Sequence, residues 1–507
     1  MIRTPISSRL TTEDRIHSFP DNIGAFLDQA KERYPRRKGI GTPERMLTFE
    51  EYHDRICRLA HGLRKLGLAP YDRVIISSSE SFGYATFSLA VFRIGATVVP
   101  VHPKMGPYEL AHIIKETSPR FFICDPDHTK KALKAFELGG DMNASSLLPI
   151  DDKRTSIPSI QDLDVSGKDT RFEQMKPEDT AMIVYTAAMD GYPLGAQLTH
   201  GSLFEDTAAF ALKSFRAEDT GSEGVFSLLP LFHSYGFTNG FLVPLMAGVP
   251  CVLLGTSLRG RTVVKHMDAH RPTQVVSVPA IFYTLVKALS ERPDLCKGLR
   301  NLVSGGIGMS MRLLELYKEK LGLSISEGYG LTEASPVVTW NGLERPPKFG
   351  TVGPPLPCCR VKIVDEGGNE VPSGKEGEVL VSGSNLFSGY LDTPERTQAS
   401  YLNGWFKTGD MGWVDHEDYL TLTGLKKDMI NVFGLKAYPK EVERLIMNHS
   451  DVAGVRVRAE WHQRFGTMVA GEVRLRPGCV LTEKQFLEWC RENMSPYKVP
   501  RKVSFVK

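Results

Sequence analysis

The sequence is poor in the features that mark specialised classes of protein. Its eight cysteines, Cys57, Cys124, Cys251, Cys296, Cys358, Cys359, Cys479 and Cys490, include no C-x-x-C pair and no Cys/His group at zinc spacing. That excludes a zinc module. Cysteines scattered through 507 residues read as reduced core residues of a cytosolic protein rather than as a disulfide framework. Charge of one sign is also lacking. With 62 Lys+Arg against 59 Asp+Glu, the formal charge of +3 gives no bias toward nucleic acid or an anionic membrane. The first residues, MIRTPISSRLTTEDRIHSFP, contain no apolar core segment and are not a signal peptide. The most apolar stretch, from Gly240 to Gly255, is short for a membrane span and broken by two prolines. It reads as a buried helix-turn-strand. There is no internal repeat, no low-complexity segment and no G-x-x-x-x-G-K-[ST] phosphate loop.

What is present is the profile of a soluble globular protein, with 41% hydrophobic and 24% charged residues. The length exceeds the size at which single cores stop growing, so at least two domains are expected. Short β-branched runs (Arg73–Ser77, Arg120–Cys124, Ala181–Thr186, Val249–Leu254, Gln274–Val278, Asn301–Ser304) alternate with helical stretches such as Ser202–Phe215 and Ala280–Ser290. This alternation predicts α/β layers with largely parallel, buried strands. After about Gly350 the pattern changes. Arg360–Val364 and Gly377–Ser382 read as antiparallel strands, and Trp405–Thr423 as a hairpin turning near Asp415–Asp418. From Lys427 on, a helix at Pro439–Asn448, strands at Gly454–Arg458 and Met468–Leu475, and a helix from Thr482 to about Asn493 predict a small α+β domain. The expected division is a large domain over 1–426 and a small mobile one over 427–507. The large part combines layered α/β subdomains with a β-rich, barrel-like part.

The segment from Tyr185 to Leu203, YTAAMDGYPLGAQLTHGSL, reads as a buried strand, a glycine-containing loop and a helix. That geometry can aim backbone N–H groups at phosphate. Alone it is a weak signal, because such turns are common. Further segments add to it: LPLFHSYGF (Leu229–Phe237), VSGGIGM (Val303–Met309), EGYGLTEAS (Glu327–Ser335), YLNGWFKTGDMG (Tyr401–Gly412), GLKKDMINVFGLKAYPKEVE (Gly424–Glu443) and SPYKVPRKVSFV (Ser495–Val506). In order and spacing the set resembles the adenylate-forming acyl-CoA synthetase superfamily, over nearly the whole chain. Its wording is most similar to fatty-acyl-CoA ligases.

The resemblance implies a two-step reaction using ATP, Mg2+ and coenzyme A. A carboxylate would attack the ATP α-phosphate, and the CoA thiol would then attack the acyl carbon. It also implies roles residue by residue. Thr332 matches a phosphate contact and Glu333 a Mg2+ ligand. Tyr329 and Gly330 match the adenine site, with Gly306 and Ile307 as backbone on its other side. Thr186 and Gly191 belong to the phosphate loop, and Asp410 matches a ribose contact. His233 matches the histidine beside the acyl carboxylate; lacking negative charge, it favours an acid without an α-amine. Phe237, Gly240 and Gly305 would line an acyl pocket of fatty or aryl type. Lys427 and Asp428 match the pivot between domains, and Lys436 and Lys498 positions facing phosphate or CoA in one domain orientation. The location implied is cytoplasmic, with peripheral membrane contact and a homodimer left open.

Four departures from the family pattern bear on adenylation. The phosphate loop reads Ala187-Ala188-Met189-Asp190-Gly191-Tyr192-Pro193-Leu194-Gly195, so its hydroxyl donors are gone and its lysine is Leu194. Asp190 adds a charge that would repel a phosphate by about 4 kcal/mol at ~4 Å and an effective dielectric near 20. Leu425 stands where the family has a ribose-contacting arginine. The family's adenylation lysine lies in a P-x-x-x-x-G-K element beyond Lys507. The expected function is therefore an AMP-forming acyl-CoA synthetase. The alternative is a degenerate member that binds nucleotide, acyl-adenylate or CoA, or runs only the thioester half-reaction.

Overall fold

The computed structural model describes residues 22–139, 142, 144–150, 166–186, 193–215, 222–255, 259–342, 347–425, 430–432, 435–462 and 466–506. Local signals set most of the helices. Phe49–Lys65, for example, starts at a Thr48/Glu51 capping box, with Glu50 and Glu51 in its first turn and Arg64 and Lys65 in its last.

Two mixed sheets form the bulk of the large domain. In a seven-stranded sheet, Thr180–Thr186, Thr97–Pro100, Arg73–Ser77, Phe121–Cys124 and Leu147–Pro149 run parallel, and Leu194–Thr199 and Gly389–Tyr390 add an antiparallel edge. In an eight-stranded sheet, Ile325–Gly330, Asn301–Ser304, Gln274–Ser277, Val225–Ser227, Cys251–Leu253 and Lys38–Gly41 run parallel. The antiparallel strands Val337–Asn341 and Met46–Thr48 close its two edges. A core spanning Ile23 to Leu420 is shared between these sheets, with helices covering their outer faces. Antiparallel pairing joins Cys359–Val364, Gly377–Gly383, Tyr401–Leu402, Trp405–Val414 and Leu420–Leu425 into a third, five-stranded sheet. From Ile430 on, a two-stranded and a three-stranded sheet enclose a separate core with the helices Pro439–Ile446 and Glu483–Asn493.

The 240–255 stretch is a helix-turn-strand as expected. The helix Val243–Ala247 ends at left-handed Gly248 (φ 66°) and leads to Cys251–Leu253. The segment after Tyr185 differs from its reading. A second strand, Leu194–Thr199, pairs back on Thr180–Thr186 before the helix His200–Ser214 begins. Gly195, Ala196, Leu198 and Thr199 are buried, and that burial favours strand pairing over immediate helix entry. Thr199 then caps the helix, accepting from the Ser202 amide at 3.0 Å. The helix N-terminus is thus one strand removed from the phosphate loop, whose residues 187–192 lie outside the described residues. So do Lys427, Asp428 and the side chain of Lys436. All eight cysteines are free, and no helix among the described residues is long and apolar enough to cross a membrane.

A buried ion cluster docks the small domain on the large one. The Lys498 ammonium reaches Glu109 Oε1 at 2.6 Å and Glu441 Oε1 at 2.5 Å, with all three side chains nearly sealed from solvent. Glu109 belongs to the large domain, in the helix Pro107–Thr117, and Glu441 and Lys498 to the small one. Glu109 also accepts from the Ser495 amide at 2.7 Å and from its hydroxyl at 2.8 Å. Next to the cluster, Gly106 lies so close to the Asn493 carbonyl that an added Cβ would stand 2.2 Å from it. Burial alone would raise the Glu109 carboxyl, but the Lys498 ammonium and the Ser495 donors hold it below the ordinary range. Burial pushes Glu441 up despite the same ammonium, and its Oε2 has no partner among the described residues. Two acids compete for one cation, and the one with the fuller set of hydrogen-bond donors stays the more acidic.

Removing the cation from this cluster strands a buried carboxylate, so Lys498→Met should destabilise the docked arrangement by about 3–5 kcal/mol. Small-angle scattering should show an expanded particle. The sign of the pH dependence follows from the shifts. Glu109, lowered, contributes above the ordinary glutamate pKa and loses its contribution as pH falls through its folded value. Lys498, raised well above its ordinary value by the same partners, loses its contribution only as pH rises through its own folded value. Glu441, raised, works the other way and favours docking as pH falls. Glu109, with the Ser495 donors and the cation, carries the larger set of contacts, so docking should weaken on acidification below the ordinary glutamate range, and a particle size unchanged at about pH 3 would contradict this.

Candidate active site

A cavity of about 660 Å3 opens where the two large sheets, the five-stranded sheet and the small domain meet. It lies beyond the carboxyl ends of the strands Asn301–Ser304 and Thr180–Thr186, the usual place for a ligand in an open α/β sheet. The volume suits a small-molecule site.

One end is built around Tyr329, near the end of Ile325–Gly330. Its hydroxyl donates to Asp410 Oδ2 at 2.6 Å, and both side chains are buried. The bond ties the eight-stranded sheet to the five-stranded one. Burial and the facing carboxylate push the Tyr329 phenol well above its ordinary range, so it stays a donor. The Asp410 amide donates to Thr408 Oγ1 at 3.1 Å. Gly330 must be glycine, because an added Cβ would stand 2.0 Å from the Pro336 carbonyl. Opposite, Gly305 and Gly306 follow the strand end. Gly306 is left-handed (φ 88°), and half-buried Ile307 lies just beyond the lining.

Thr332 and Glu333 sit side by side in the single turn Thr332–Ala334. Glu333 Oε1 accepts from the Tyr390 hydroxyl at 2.9 Å, and the Glu333 carbonyl accepts from the Phe387 amide at 2.8 Å. The second carboxylate oxygen has no hydrogen-bond partner among the described residues. Thr332 Oγ1 lies 3.5 Å from Ser234 Oγ, which joins this turn to the segment carrying His233. His233 stands at the N-cap of Ser234–Phe237 and is open to the cleft, but the crowded concavity still strips water from it. That desolvation lowers its pKa, so the ring is neutral near pH 7. Thr186 and Leu194 face each other across their hairpin and border the same space. The position where the family pattern has a lysine therefore presents an apolar side chain.

The structure brings Thr186, His233, Gly305, Gly306, Tyr329, Gly330, Thr332, Glu333 and Asp410 to one cavity. Phe237 and Gly240 are not in its lining. The Phe237 ring is fully buried against Phe92 and Phe241, at 5.9 and 5.6 Å between centroids, and a Cβ on Gly240 would stand 2.3 Å from Ser227 Oγ. Lys498 takes neither of the positions expected for it in this arrangement, because the two glutamates hold it at the domain interface. Gly191 lies outside the described residues.

Several lining residues carry no sequence signal of their own. Lys407 and Arg396 bring positive charge to the cavity, Tyr390 orients Glu333, and Tyr438 and Tyr497 reach in from the small domain. Tyr497 directly precedes Lys498, so the ion cluster also sets the cavity wall. Lys407, Tyr438 and Tyr497 lie within segments already singled out, though without a role of their own there; Tyr390 and Arg396 depend on tertiary contacts.

Comparisons with known proteins agree with this geometry. The family model for AMP-binding enzymes matches residues 27–391, and that for the AMP-binding enzyme C-terminal domain matches residues 441–507. A feruloyl-CoA synthase from an Amycolatopsis species is 30% identical over 501 residues, covering 95% of this chain and 94% of the relative. A long-chain-fatty-acid–CoA ligase from Escherichia coli O6:H1 is 27% identical, covering 96% and 92%. The structure of the o-succinylbenzoate CoA synthetase of Bacillus subtilis shares the fold, with a TM-score of 0.82 at 24% identity over 95% of this chain and 94% of that one.

The Tyr329–Asp410 bond predicts that Tyr329→Phe frees Asp410 from its donor and weakens AMP binding about tenfold, in line with a hydrogen bond to a charged group worth ~1.5–3 kcal/mol. Calorimetry with AMP reads this directly, and unchanged affinity would remove Asp410 orientation from the site's requirements.

Proposed function

The chain belongs to the AMP-binding enzyme family and is an ATP-dependent acid–CoA ligase, and from that premise we propose that the cavity activates its acid as an acyl-adenylate and then passes the acyl group to CoA. In the first step a carboxylate oxygen bonds to the ATP α-phosphorus and pyrophosphate leaves. In the second, the CoA sulfur bonds to the acyl carbon, AMP leaves and the thiol proton is released. The observation that carries this reading is the convergence on one cavity of His233, the Thr332–Glu333 turn and the Tyr329–Asp410 pair.

Each group has a physical task. Neutral His233 donates an N–H to the substrate carboxylate without protonating it, which keeps the nucleophile charged. Asp410, with one oxygen held by Tyr329, offers the other to the ribose hydroxyls. Thr332 donates to phosphate oxygen. The donor set fits Mg2+ at Glu333: a hard carboxylate oxygen faces the cavity, and no cluster of three or more acidic, His or Cys groups exists among the described residues to build an all-protein cage. Magnesium would neutralise phosphate charge there, taking its remaining ligands from phosphate and water. Lys407 and Arg396 supply further positive charge. Hinge motion near Lys427 and Asp428, with Lys436 turning toward the site, would exchange the small-domain wall between steps. Free, mostly buried cysteines support a reducing, cytoplasmic setting. The relatives act on feruloyl and long-chain fatty acyl groups, so aryl and fatty acids are both candidate substrates.

One observation favours the second reading, of a member that binds but adenylates poorly: apolar Leu194 at the cavity edge. Pyrophosphate release with Mg-ATP and a panel of aryl acids and hexanoic to octadecanoic acids, with and without CoA, separates the two. Release coupled to acyl-CoA formation is the expected result; no release with any acid would leave the binding-only reading. If loop charge limits the first step, Asp190→Thr with Leu194→Lys should raise the adenylation rate at least about tenfold, from the electrostatic term involved.

A further inference from the structure

We propose that His112 and Glu116, on the helix Pro107–Thr117, are positioning residues for the adenylation step, gripping both strand ends from which the phosphate loop is strung. This rests on the reading of the cavity as an acid–CoA ligase site and adds two residues to it that are not in its lining. The loop is flanked by Tyr185, in the strand Thr180–Thr186, and by Pro193, directly before the strand Leu194–Thr199. On the first side, the Tyr185 hydroxyl donates to Glu116 Oε2 at 2.8 Å. On the second, His112 Nε2 lies 3.3 Å from the Pro193 carbonyl. A carbonyl only accepts, so that nitrogen carries the proton. The same nitrogen lies 3.3 Å from Glu116 Oε1. One carboxylate therefore holds the tyrosine with one oxygen and orients the histidine with the other.

The helix is a firm anchor. Its Leu110, Ile113 and Ile114 are buried in the core beneath the seven-stranded sheet. Glu109, His112 and Glu116 fall at i, i+3 and i+7, on one stripe of its surface. Glu109 is itself fixed by Lys498 and Ser495 of the small domain, so the stripe is pinned at its start as well.

The hairpin is shaped to receive these side chains. The His112 and Tyr185 rings meet edge-on, 6.3 Å between centroids and 76° between planes. A Cβ on Gly195 would lie 3.2 Å from Tyr185 Cζ, so the facing strand is bare where the ring crosses it. Burial and the Glu116 carboxylate push the Tyr185 phenol above its ordinary range and keep it a donor. Thr186 and Leu194, the next residues inward from the two gripped positions, border the cavity. A displacement of either strand end moves that wall directly, and a shift of about 1 Å in a positioning group can cost about a hundredfold in rate. The Tyr329–Asp410 pair that serves the nucleoside end belongs to other sheets. The grip should therefore matter for polyphosphate and not for AMP, a separation that an ordinary stabilising contact does not produce.

The test is calorimetric binding of AMP and of Mg2+ with α,β-methylene-ATP, which cannot be adenylated, to the full chain. Glu116→Ala should weaken the ATP analogue about tenfold, the scale of a lost hydrogen bond to a charged group, and leave AMP within about twofold. Glu116→Gln keeps an acceptor for the Tyr185 hydroxyl and should stay within about threefold of wild type for the analogue. Tyr185→Phe combined with Glu116→Ala should lose no more than Glu116→Ala alone, because the two act as one unit. Equal losses for AMP and the analogue, an analogue affinity unchanged by Glu116→Ala, a Gln variant as weak as the Ala variant, or additive losses in the double variant would overturn the proposal. So would a wild type that binds the analogue no more tightly than AMP. A chain that shows the expected split but releases no pyrophosphate would count against the ligase reading alone. An active ligase whose Glu116→Ala variant keeps its ratio of analogue to AMP affinity would count against this proposal alone.

Discussion

The position of one ammonium group governs the site. Lys498, between Glu109 of the large domain and Glu441 of the small one, holds the small domain where Tyr438 and Tyr497 close the cavity. Such a cluster is a poor source of net stability, because stripping water from three charged groups offsets most of their attraction. Its value is geometric. The cation has few places where it meets both carboxylates, and the Ser495 donors fix Glu109 in turn, so docking is specific in register. The same economy makes the contact reversible: separated, all three groups regain water, and the cost of parting is far below their Coulomb energy in a dry interior.

The cavity relies on the same device at smaller scale. Tyr329 and Asp410 come from different sheets and meet through one short hydrogen bond. The Thr332–Glu333 turn is fastened by Tyr390 and Phe387, which belong to a third segment. Polar groups that border the cavity are thus fixed in advance by neighbours, which leaves little reorganisation for a bound ligand to impose.

Much of this was legible in the sequence, and the division is physical. Alternating β-branched runs and helical stretches marked the strands Arg73–Ser77 and Asn301–Ser304 at their observed bounds, because buried parallel strands impose a continuous apolar run. The change to antiparallel pairing after Gly350 was equally visible in turn residues. The strand Leu194–Thr199 was missed because its pairing is decided by burial against Thr180–Thr186 and not by local propensity. Among site residues, those in contiguous motifs (Tyr329, Thr332, Glu333, Asp410) could be named. Phe237 lies in such a motif too, but the helical turn points it into the core. Lys498 could not be placed, since its partners are 389 and 57 residues away in the chain.

The π-helical turn Thr238–Leu242 has a consequence for how such a protein diversifies. Its Gly240 is clamped on Ser227, and His233 is fixed one turn earlier, so the backbone here tolerates little change. The side chain at position 239 is bound by neither constraint. A substitution at position 239 would therefore alter the lining of the cavity while the backbone that carries it stays where it is.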